Sequence, residues 1–516
     1  MSNADRPYPV QYCGRALVRR LLAGLLSLSL FLSAYAQPSV LRVADQVAFD
    51  SLDVTVKRFL EGAGTRLLIQ LDSGVYHYRE HHLALVGWDV PEKQIRIVGR
   101  NASLLPASVL SMRVYDPDAA RFRCQEGVME AVPEIREMHK AHSLVRIVDR
   151  KNKLCRLRTD RVQDPALARG CYLYLTQWFT GRAYPITEVR GRYLYFRVDD
   201  LRPARLFYSV NLDWTFSFQY PRYCILGDPS TKENGWDAAA TTFLSLDQAR
   251  LGGVVLDSLR FVGNRRGEHS EGLISVSASD TPFRIRKCRF EQIRSTCITV
   301  CASDSIVVED CQFQDVFRGC VEADAGSSRV SVIGNLIHSA GLAGENTSCI
   351  VSYGEGFEIR DNVISDYGYA AIRTGVHYAE PKKRPVTGVI AGNEIFQTPS
   401  YFKAAPDRLL MDSGAIYLST QLDDLLIERN RIHDINGPTY NRGIFADDGA
   451  SHIRIVGNTI QGIRNYYAID IDPRSAWKML HRRERRVSVA NEDIDIHDNQ
   501  VEGKVRIARR RMRRRY

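Results

Sequence analysis

The second half of the chain repeats a pattern of alternating apolar and polar residues. Each repeat reads Φ-x-Φ-x-x-N-x-Φ, where Φ is apolar, as in LLIERNRI (425–432) and IRIVGNTI (453–460). Alternation with a period of two predicts β-strands, because successive side chains of a strand point to opposite faces. The aligned column, whose first members are leucine or cysteine, is Leu259, Cys288, Cys311, Asn335, Asn362, Asn393, Asn430, Asn458 and Asn499.

The spacing of this column indicates a solenoid. Successive members are 23 to 41 residues apart, which fits a coil of fixed minimum circumference whose corners accept insertions. We place the asparagine at a sharp turn, because Asn tolerates left-handed backbone angles and bonds its own backbone. Stacked coils then bring the amides into a ladder inside the solenoid. The predicted fold is all-β, a right-handed parallel β-helix.

A second short apolar strand accompanies each repeat, and its alternation separates an inner from an outer face. The inward residues are Ile274, Ile298, Val321, Ile350, Ile372, Ile416, Ile444 and Ile469. The next residue of each strand then faces outward, giving Ser275, Thr299, Glu322, Val351, Arg373, Tyr417, Phe445 and Asp470. Two positions further come Ser277, Cys301, Asp324, Tyr353, Gly375, Ser419, Asp447 and Asp472. The outer face is therefore predicted to carry acids, aromatic rings and one arginine.

The remaining segments differ in composition from the repeats. VAFDSLDVTVKRFLEGAG (47–64) predicts an amphipathic helix that caps the open end of the solenoid. AYPITEVRGRYLYFRV (183–198) predicts a hairpin in an aromatic, β-rich insertion. The predicted organisation is a signal peptide (1–36), a cap with the first coils (37–103), the insertion (104–245), the repeats (246–504) and a basic tail (505–516).

The net charge of +10 is concentrated at the two ends of the chain. Residues 1–36 hold four arginines, the apolar core LLAGLLSLSLFL and the small-residue site AYA, which predict a secretory signal. Seven arginines fall in the tail, which either binds polyanions or membrane surfaces or is a solvated, disordered end. We expect a secreted, periplasmic or cell-surface monomer with no transmembrane segment and no nucleic-acid partner.

Ten of the eleven cysteines follow the predicted signal, in a compartment where disulfides are permitted. Six of them occupy repeat positions where neighbouring repeats carry apolar residues or Asn, which favours buried, stacked thiols over a bridged framework: Cys288, Cys297, Cys301, Cys311, Cys320 and Cys349. No CxxC pair occurs, so a zinc site has little support, and we predict no metal site.

The acids of the outer face suggest carbohydrate chemistry. Adjacent coils lie about 4.8 Å apart, so Asp447 and Asp472 are expected to be neighbours, with Tyr417 beside Phe445. A carboxyl pair is what glycosidic cleavage requires, and an aromatic shelf suits a sugar ring. The alternative is structural, because outward Asp also serves solenoids as a solubilising edge and a turn former.

The sequence resembles the pectate-lyase-like right-handed β-helix superfamily. DSGAIYL (412–418), IERNRIHDI (427–435) and RGIFADDGASHIRIVGNTI (442–460) are similar to β-helical glycoside hydrolases of the fucosidase and xylanase type, which often read GAIY, N-x-IHD and GIYLDDG. This narrower resemblance implies that Asp412 and Asp447 are catalytic, with Asp448 as a substitute. Phe-Ala replaces the commoner Tyr-Leu before the paired aspartates, which weakens any transfer of substrate specificity.

Three functions follow as alternatives. The first is an exported glycoside hydrolase without a cofactor, in which Arg373, Tyr417, Phe445, His377, Asp470, Asp472 and Glu322 bind a polysaccharide or glycan. The second is a polysaccharide lyase, in which the acids hold calcium and Arg373 removes a proton. The third is a non-catalytic solenoid that binds glycan or protein. Arg373 has a structural alternative, an ion pair with Glu322 or Asp470.

Overall fold

The described residues of the computed structural model are 38–106, 113–116, 121–124, 139–140, 145–159, 168–177, 180–198, 222–226, 242–263, 272–293, 295–341, 347–376, 384–399, 413–419, 422–435, 441–447, 450, 452–463, 467–471 and 494–507. The predicted signal segment lies outside them. No helix in these ranges is long and apolar enough to cross a membrane.

Three long parallel sheets form the body of the protein. Sheet 1 contains, in spatial order, Ser39–Val43, Arg66–Leu71, Asp89–Gly99, Arg250–Asp257, Phe283–Arg286, Asp304–Glu309, Ser328–Ile333, Phe357–Arg360, Thr387–Ala391, Asp424–Glu428, Ile453–Val456 and Ile494–His497. Sheet 2 contains Gly74–Tyr78, Ala102–Pro106, Arg260–Val262, Arg289–Glu291, Gln312–Val316, Leu336–Ala340, Val363–Ser365, Glu394–Phe396, Arg431–His433, Thr459–Gln461 and Gln500–Val501. Sheet 3 contains Leu83–Val86, Leu244–Asp247, Ile274–Ser277, Ile298–Cys301, Val321–Ala323, Ser348–Ser352, Ala370–Thr374, Ser413–Leu418, Asn441–Ala446, Tyr467–Ile471 and Lys504–Ile507.

Each coil passes from sheet 3 through sheet 1 to sheet 2, and this order confirms the predicted solenoid. The Φ-x-Φ-x-x-N-x-Φ unit supplies two strands rather than one. Asp424–Glu428 belongs to sheet 1 and Arg431–His433 to sheet 2, with only Arg429 and Asn430 between them. A coil therefore has three strands, one more than the two elements read from the sequence.

The left-handed residue of this two-residue turn is not the asparagine but the residue before it. Positive φ angles occur at Ser258, Lys287, Asp310, Gly334, Asp361, Gly392, Arg429, Gly457 and Asp498. Each precedes a member of the aligned column, so the expected left-handed role of Asn is wrong by one position. The asparagine is selected for its side chain, which points into the core.

The predicted amide ladder is present inside the solenoid. Asn393 Nδ2 donates to Asn430 Oδ1 at 2.9 Å and to the Ile359 carbonyl at 2.9 Å, and Asn393 Oδ1 accepts from the backbone N–H and the side chain of Asn362. The same side-chain contact joins the members from Asn335 to Asn499. Buried amides that satisfy one another in this way avoid the 1–3 kcal/mol, roughly, that an unpaired buried polar group costs.

Thiols and aromatic rings fill the interior before the ladder begins, and one further thiol, Cys349, lies beside its first members. Cys288, Cys297, Cys311, Cys320 and Cys349 are free and buried, which confirms the stacked thiols; Cys301 is free and only partly buried. The sheet 2 side chains Phe261, Phe290 and Phe313 stack at centroid distances of 5.1 and 4.8 Å.

The N-terminal end is capped by two helices, Gln46–Asp50 and Leu52–Glu61, in place of the single predicted one. The first begins where Asp45 accepts a hydrogen bond from the Ala48 N–H at 2.8 Å. Phe49, together with Leu52, Val56 and Leu60 of the second helix, packs into the solenoid core. Burial of each such side chain contributes about 2 kcal/mol.

The β-rich insertion leaves the solenoid after Pro106 and returns at Leu244. Its strands are antiparallel and run in the order Arg146–Asp149, Leu154–Arg158, Tyr193–Arg197, Thr180–Arg190, Tyr172–Gln177, Arg222–Leu226, Arg113–Asp116 and Arg121–Cys124, with His139–Lys140 beside Arg222–Leu226. Thr180–Arg190 and Tyr193–Arg197 form the predicted hairpin. The insertion has its own core, which includes Cys155, Leu173, Leu194 and Phe196.

Candidate functional site

The outer column of sheet 3 has the register expected from the sequence. Thr299 pairs with Glu322, Glu322 with Val351, Val351 with Arg373, Arg373 with Tyr417, Tyr417 with Phe445 and Phe445 with Asp470. The inward partners, including Ile372, Ile416, Ile444 and Ile469, are almost fully buried in the core. Parity therefore predicted the register of this column correctly, and the register brings residues from 299 to 470 onto one wall, although Phe445 and Asp470 are buried there.

Asp447 lies at the end of this wall's strand Asn441–Ala446. Its backbone N–H donates to the Leu418 carbonyl at 2.8 Å, and its carbonyl accepts from Ala450. The Tyr417 hydroxyl donates to Asp447 Oδ2 at 2.9 Å. This hydrogen bond orients the carboxyl group. Because the Asp447 residue is only 7% exposed, the group lies in an environment with little water.

Tyr417 and Phe445 are neighbours, as expected, but they do not form an open shelf. Their rings meet edge to face at 5.4 Å, and Tyr417 contacts the Tyr369 ring at 5.4 Å. Phe445 is 1% exposed and Tyr417 7%. The rings pack as a small cluster with Ala370. They orient polar groups around them and do not offer a bare face to a sugar.

Arg373 lies on the same wall, one coil before Tyr417. Its guanidinium carbon is 5.6 Å from the Tyr417 ring centroid and 5.7 Å from that of Tyr353, within cation–π range. Glu322 is two coils away and Asp470 three coils away in the opposite direction. With coils about 4.8 Å apart, the Arg373–Asp470 ion pair considered from the sequence does not fit this register.

Asp470 is fully buried and differs from the expected substrate-facing acid. Arg442 Nε donates to Asp470 Oδ2 at 2.6 Å, and Arg506 binds both carboxylate oxygens. The Arg442 guanidinium also lies over the Phe445 ring, 3.6 Å from its centroid. A carboxylate with no exposed surface and two guanidinium partners is held for structure, which argues against contact between Asp470 and a substrate.

Arg442 and Arg506 were missed by the sequence reading. Arg442 pairs with Gly414 and shares the parity of inward Ile444, so strict alternation assigns it to the interior. Arg506 lies in Lys504–Ile507, the last strand of sheet 3, which extends into the segment assigned to the basic tail. Arg506 pairs with Asp470 in the register of sheet 3. Continuing the outer column of the sequence by one more strand would have revealed this arginine.

Four predicted site residues, Asp412, Asp448, His377 and Asp472, lie outside the described residues. The expectation that a second carboxyl group lies near Asp447 therefore stays a prediction. Within the described ranges, no three His, Cys, Asp or Glu side chains are grouped so that they would hold a metal ion.

Comparison with known proteins places this geometry in a wider group. Residues 273–476 match the family model described as "Right handed beta helix region". A solved structure described as "Glycoside hydrolase" superposes with a TM-score of 0.59 over 90% of this chain and 96% of that chain, at 11% identity. The fold is a right-handed parallel β-helix. No curated protein matches the sequence.

Other solved β-helix proteins match with lower similarity. The surface adhesin PfbA of Streptococcus pneumoniae gives a TM-score of 0.43 at 10% identity, covering 90% of this chain and 87% of that one. DFA-IIIase from Arthrobacter chlorophenolicus A6 gives 0.31 at 10% identity, covering 90% and 92%. The likeness to the glycoside hydrolase structure shows the fold alone, and the two weaker likenesses carry no conclusion about this protein.

Proposed function

We propose that this β-helix protein is an exported, cofactor-free glycoside hydrolase that acts on a polysaccharide or glycan, with Asp447 as one of its two catalytic carboxyl groups. The observation that carries the proposal is the oriented carboxylate of Asp447 on the outer wall of sheet 3, bound by the Tyr417 hydroxyl. The described similarity to a glycoside hydrolase fold and the motif resemblance around 412–460 are consistent with it.

The hydrogen bond supports one division of roles within the pair. A hydroxyl donor favours an ionised carboxylate, which suits Asp447 as nucleophile or general base. The resemblance implies that Asp412 is also catalytic, with Asp448 as a substitute, and we propose that Asp412 is the general acid. Glycosidic cleavage divides its work in this way, one carboxyl protonating the leaving oxygen and the other attacking the sugar or activating water.

The wall around Asp447 supplies groups for substrate binding. Arg373 and Glu322 are both partly exposed there, so they are the described residues best placed to contact hydroxyl or carboxylate groups of a glycan. His377 and Asp472 remain candidates from the sequence. Export rests on the predicted signal in residues 1–36.

The test measures reducing ends released from a panel of glycans. Asp447→Asn is expected to lower kcat/KM by about 10³-fold, the scale of a lost acid or base group. Tyr417→Phe is expected to keep turnover but move the acidic limb of the pH–rate profile upward, because the carboxylate loses a stabilising donor. Asp324→Asn is the matched control, since Asp324 occupies the corresponding position four coils away.

Two outcomes point to the alternatives. Products that absorb in the near ultraviolet, formed only with calcium, would indicate the lyase reaction instead. Glycan binding that survives Asp447→Asn while no substrate is turned over by the unaltered protein would indicate a binding solenoid. Unchanged turnover in Asp447→Asn would remove Asp447 from the reaction.

A further inference from the structure

A groove of about 720 Å³ lies on the outer face of sheet 1, away from the wall that holds Asp447. It crosses six neighbouring strands, from Arg66–Leu71 to Ser328–Ile333. Because the strands of neighbouring coils stack along the solenoid axis, a groove that crosses them runs parallel to that axis. Its length, about 24 Å for five strand spacings, suits an extended chain better than a compact molecule.

The floor of the groove alternates between basic and apolar side chains. The pairing register places Leu68, Arg96, Val255, Arg284, Val307 and Ser331 in one outward column. Arg96 and Arg284 are two coils apart, which is about 10 Å. Between and beside them, Leu68, Val255 and Val307 present apolar surface of the kind that packs against the face of a sugar ring.

The side chains that line the groove include arginines but no acids, and the carboxylates that pair with three of these arginines stand outside the lining. The four arginines are Arg66, Arg96, Arg284 and Arg329. Arg96, Arg284 and Arg329 have side chains that are 47%, 49% and 68% exposed. Such a surface concentrates anions, and a cleft focuses the field along its length.

Carboxylates outside the lining hold these guanidinium groups in place. Arg284 Nη1 donates to Glu309 Oε1 at 3.0 Å, Arg96 Nη2 donates to Asp257 Oδ2 at 2.6 Å, and Arg329 binds Asp304. Each pairing uses only part of a guanidinium, which has five donors in a fixed fork. The arginines are therefore oriented before a ligand arrives, which lowers the entropy that binding must overcome.

Small residues keep the middle of the groove open. Gly252 lies at a bulge where the pairing with Asp89–Gly99 shifts register. A Cβ atom at Gly252 would stand 2.5 Å from the Pro91 carbonyl oxygen, so any other residue would displace the backbone that forms the bulge. The bulge bends the strand and shapes the groove beside Arg96.

We propose that this groove binds a linear acidic polysaccharide whose carboxylates are carried on alternate sugars. The separation of Arg96 and Arg284 is about the length of a disaccharide unit, and Arg binds carboxylates through two parallel hydrogen bonds. No lining residue is an exposed aromatic ring, the platform on which single-stranded nucleic acids stack. This site is separate from Asp447 and does not depend on the hydrolase proposal.

The experiment measures binding of a hyaluronan octasaccharide, which bears a carboxylate on every second sugar, by calorimetry at two salt concentrations. The Arg284→Gln, Arg329→Gln double variant is expected to weaken binding at least tenfold, about 1.4 kcal/mol in all. The Arg260→Gln, Arg454→Gln variant is the matched control. It removes the same charge from two half-exposed arginines that also pair with carboxylates, outside the groove.

Folding and site identity are controlled separately. Circular dichroism and melting temperature establish that each variant is folded, and Ser331→Glu, which adds one anion at the groove's end, should also weaken binding. Equal losses in both double variants, equal affinity for an uncharged oligosaccharide of the same length, or equal affinity for a DNA oligonucleotide would overturn the proposal. So would loss of binding in Asp447→Asn with the groove variants unaffected.

Discussion

The two halves of the solenoid use different side chains at one and the same turn. Before residue 335 the turn position holds Leu259, Cys288 and Cys311; from Asn335 onward it holds only asparagine. We call the part of the solenoid before residue 335 the thiol half and the part from Asn335 onward the amide half. The two halves share one hydrogen bond at this turn. Cys311 Sγ donates to the Ile285 carbonyl, and Asn335 Nδ2 donates to Val308, the residue that pairs with Ile285. At Cys311 and Asn335 the side chain donates to the preceding coil, whereas Leu259 fills the same turn position with a buried apolar side chain.

What the amide adds is an oxygen that accepts from the backbone of the preceding coil, while its Nδ2 also donates to the amide of the following coil. Asn335 Oδ1 accepts from the Cys311 N–H at 2.9 Å, and Asn362 Oδ1 accepts in the same way from Asn335. The Cys311 thiol remains a donor because burial raises its pKa well above the ordinary value. Both halves bury charged residues: Asp257 lies before Asn335, and Asp447, Arg442 and Asp470 lie after it.

Asn393→Cys is expected to give the largest loss of stability, because it places a cysteine at a turn position of the amide half. The thiol can still donate to Ile359, but the N–H and Nδ2 of Asn362 lose their acceptor. Asn430 Oδ1 loses one of its two donors and keeps the backbone N–H of residue 393. We expect a loss of about 4 kcal/mol in the free energy of unfolding, measured by urea denaturation. Gln312→Ala, on the exposed face of sheet 2, is the control; a loss below about 1 kcal/mol for Asn393→Cys would contradict a cooperative ladder.

Arg442→Met tests the buried Asp470 cluster, which lies in the amide half. Asp470 would keep Arg506 but lose its fully buried partner, at an expected cost of about 3 kcal/mol in unfolding free energy. Arg454→Met removes an arginine from an exposed pair with Asp424 and should cost less than about 0.5 kcal/mol. Equal losses of unfolding free energy for the two substitutions would mean that the buried ion pairs of Asp470 contribute no more to stability than an exposed pair.

Cys311→Asn is the reverse exchange, which extends the ladder by one coil. The new amide would donate to Asn335 Oδ1 and offer an acceptor to Cys288, so the change in unfolding free energy should stay below about 1 kcal/mol. A loss as large as that of Asn393→Cys would show that the thiol half lacks room for the amide, and that volume rather than hydrogen bonding separates the halves.

Asp315→Asn should give the smallest effect, and one that depends on pH. Burial raises the pKa of this carboxyl, which follows Phe313 in the thiol half. The native state therefore keeps its proton to a higher pH than the unfolded state, and wild-type stability falls as the pH rises through that interval. In urea melts, the unfolding free energy of the variant should rise relative to that of the wild type as the pH increases from about 4, the unfolded-state pKa, through the raised native pKa.

The control for that titration is Asp310→Asn. Asp310 has the same left-handed backbone, with φ of 53° against 54° for Asp315, but its side chain is exposed. Asparagine tolerates this conformation at both positions, so the difference between the two variants isolates the burial of the charge. A pH dependence that is the same in both variants would rule out Asp315 as its source.

The sequence predicted the stacking because alternation and the asparagine column are local signals with a fixed period. The inward set from Ile274 to Ile469 and the neighbouring pair Tyr417 and Phe445 followed from parity alone. The left-handed residue was misplaced by one, since Asn and the residue before it are both plausible turn formers and only backbone angles distinguish them.

The electrostatics of the site could not be predicted in the same way. Arg442 reaches Asp470 across Phe445 from an inward register position, and Arg506 arrives from the last described strand. Long side chains can leave the face that alternation assigns to them, and burial depends on segments far away in the chain. For this reason Asp470 resembled an exposed ligand in the sequence, although it is a buried anion in the structure.

The two-residue corner between sheet 1 and sheet 2 keeps its length in every repeat from Asp257 to Gln500, while all the variation in repeat length falls at the other two corners. The corner between sheet 1 and sheet 2 therefore has a constant length, whereas the other two corners accommodate insertions of different lengths. New loops can be added at these two corners, by evolution or by protein engineering, so that ligand recognition by the outer wall changes while the stacked strands stay the same.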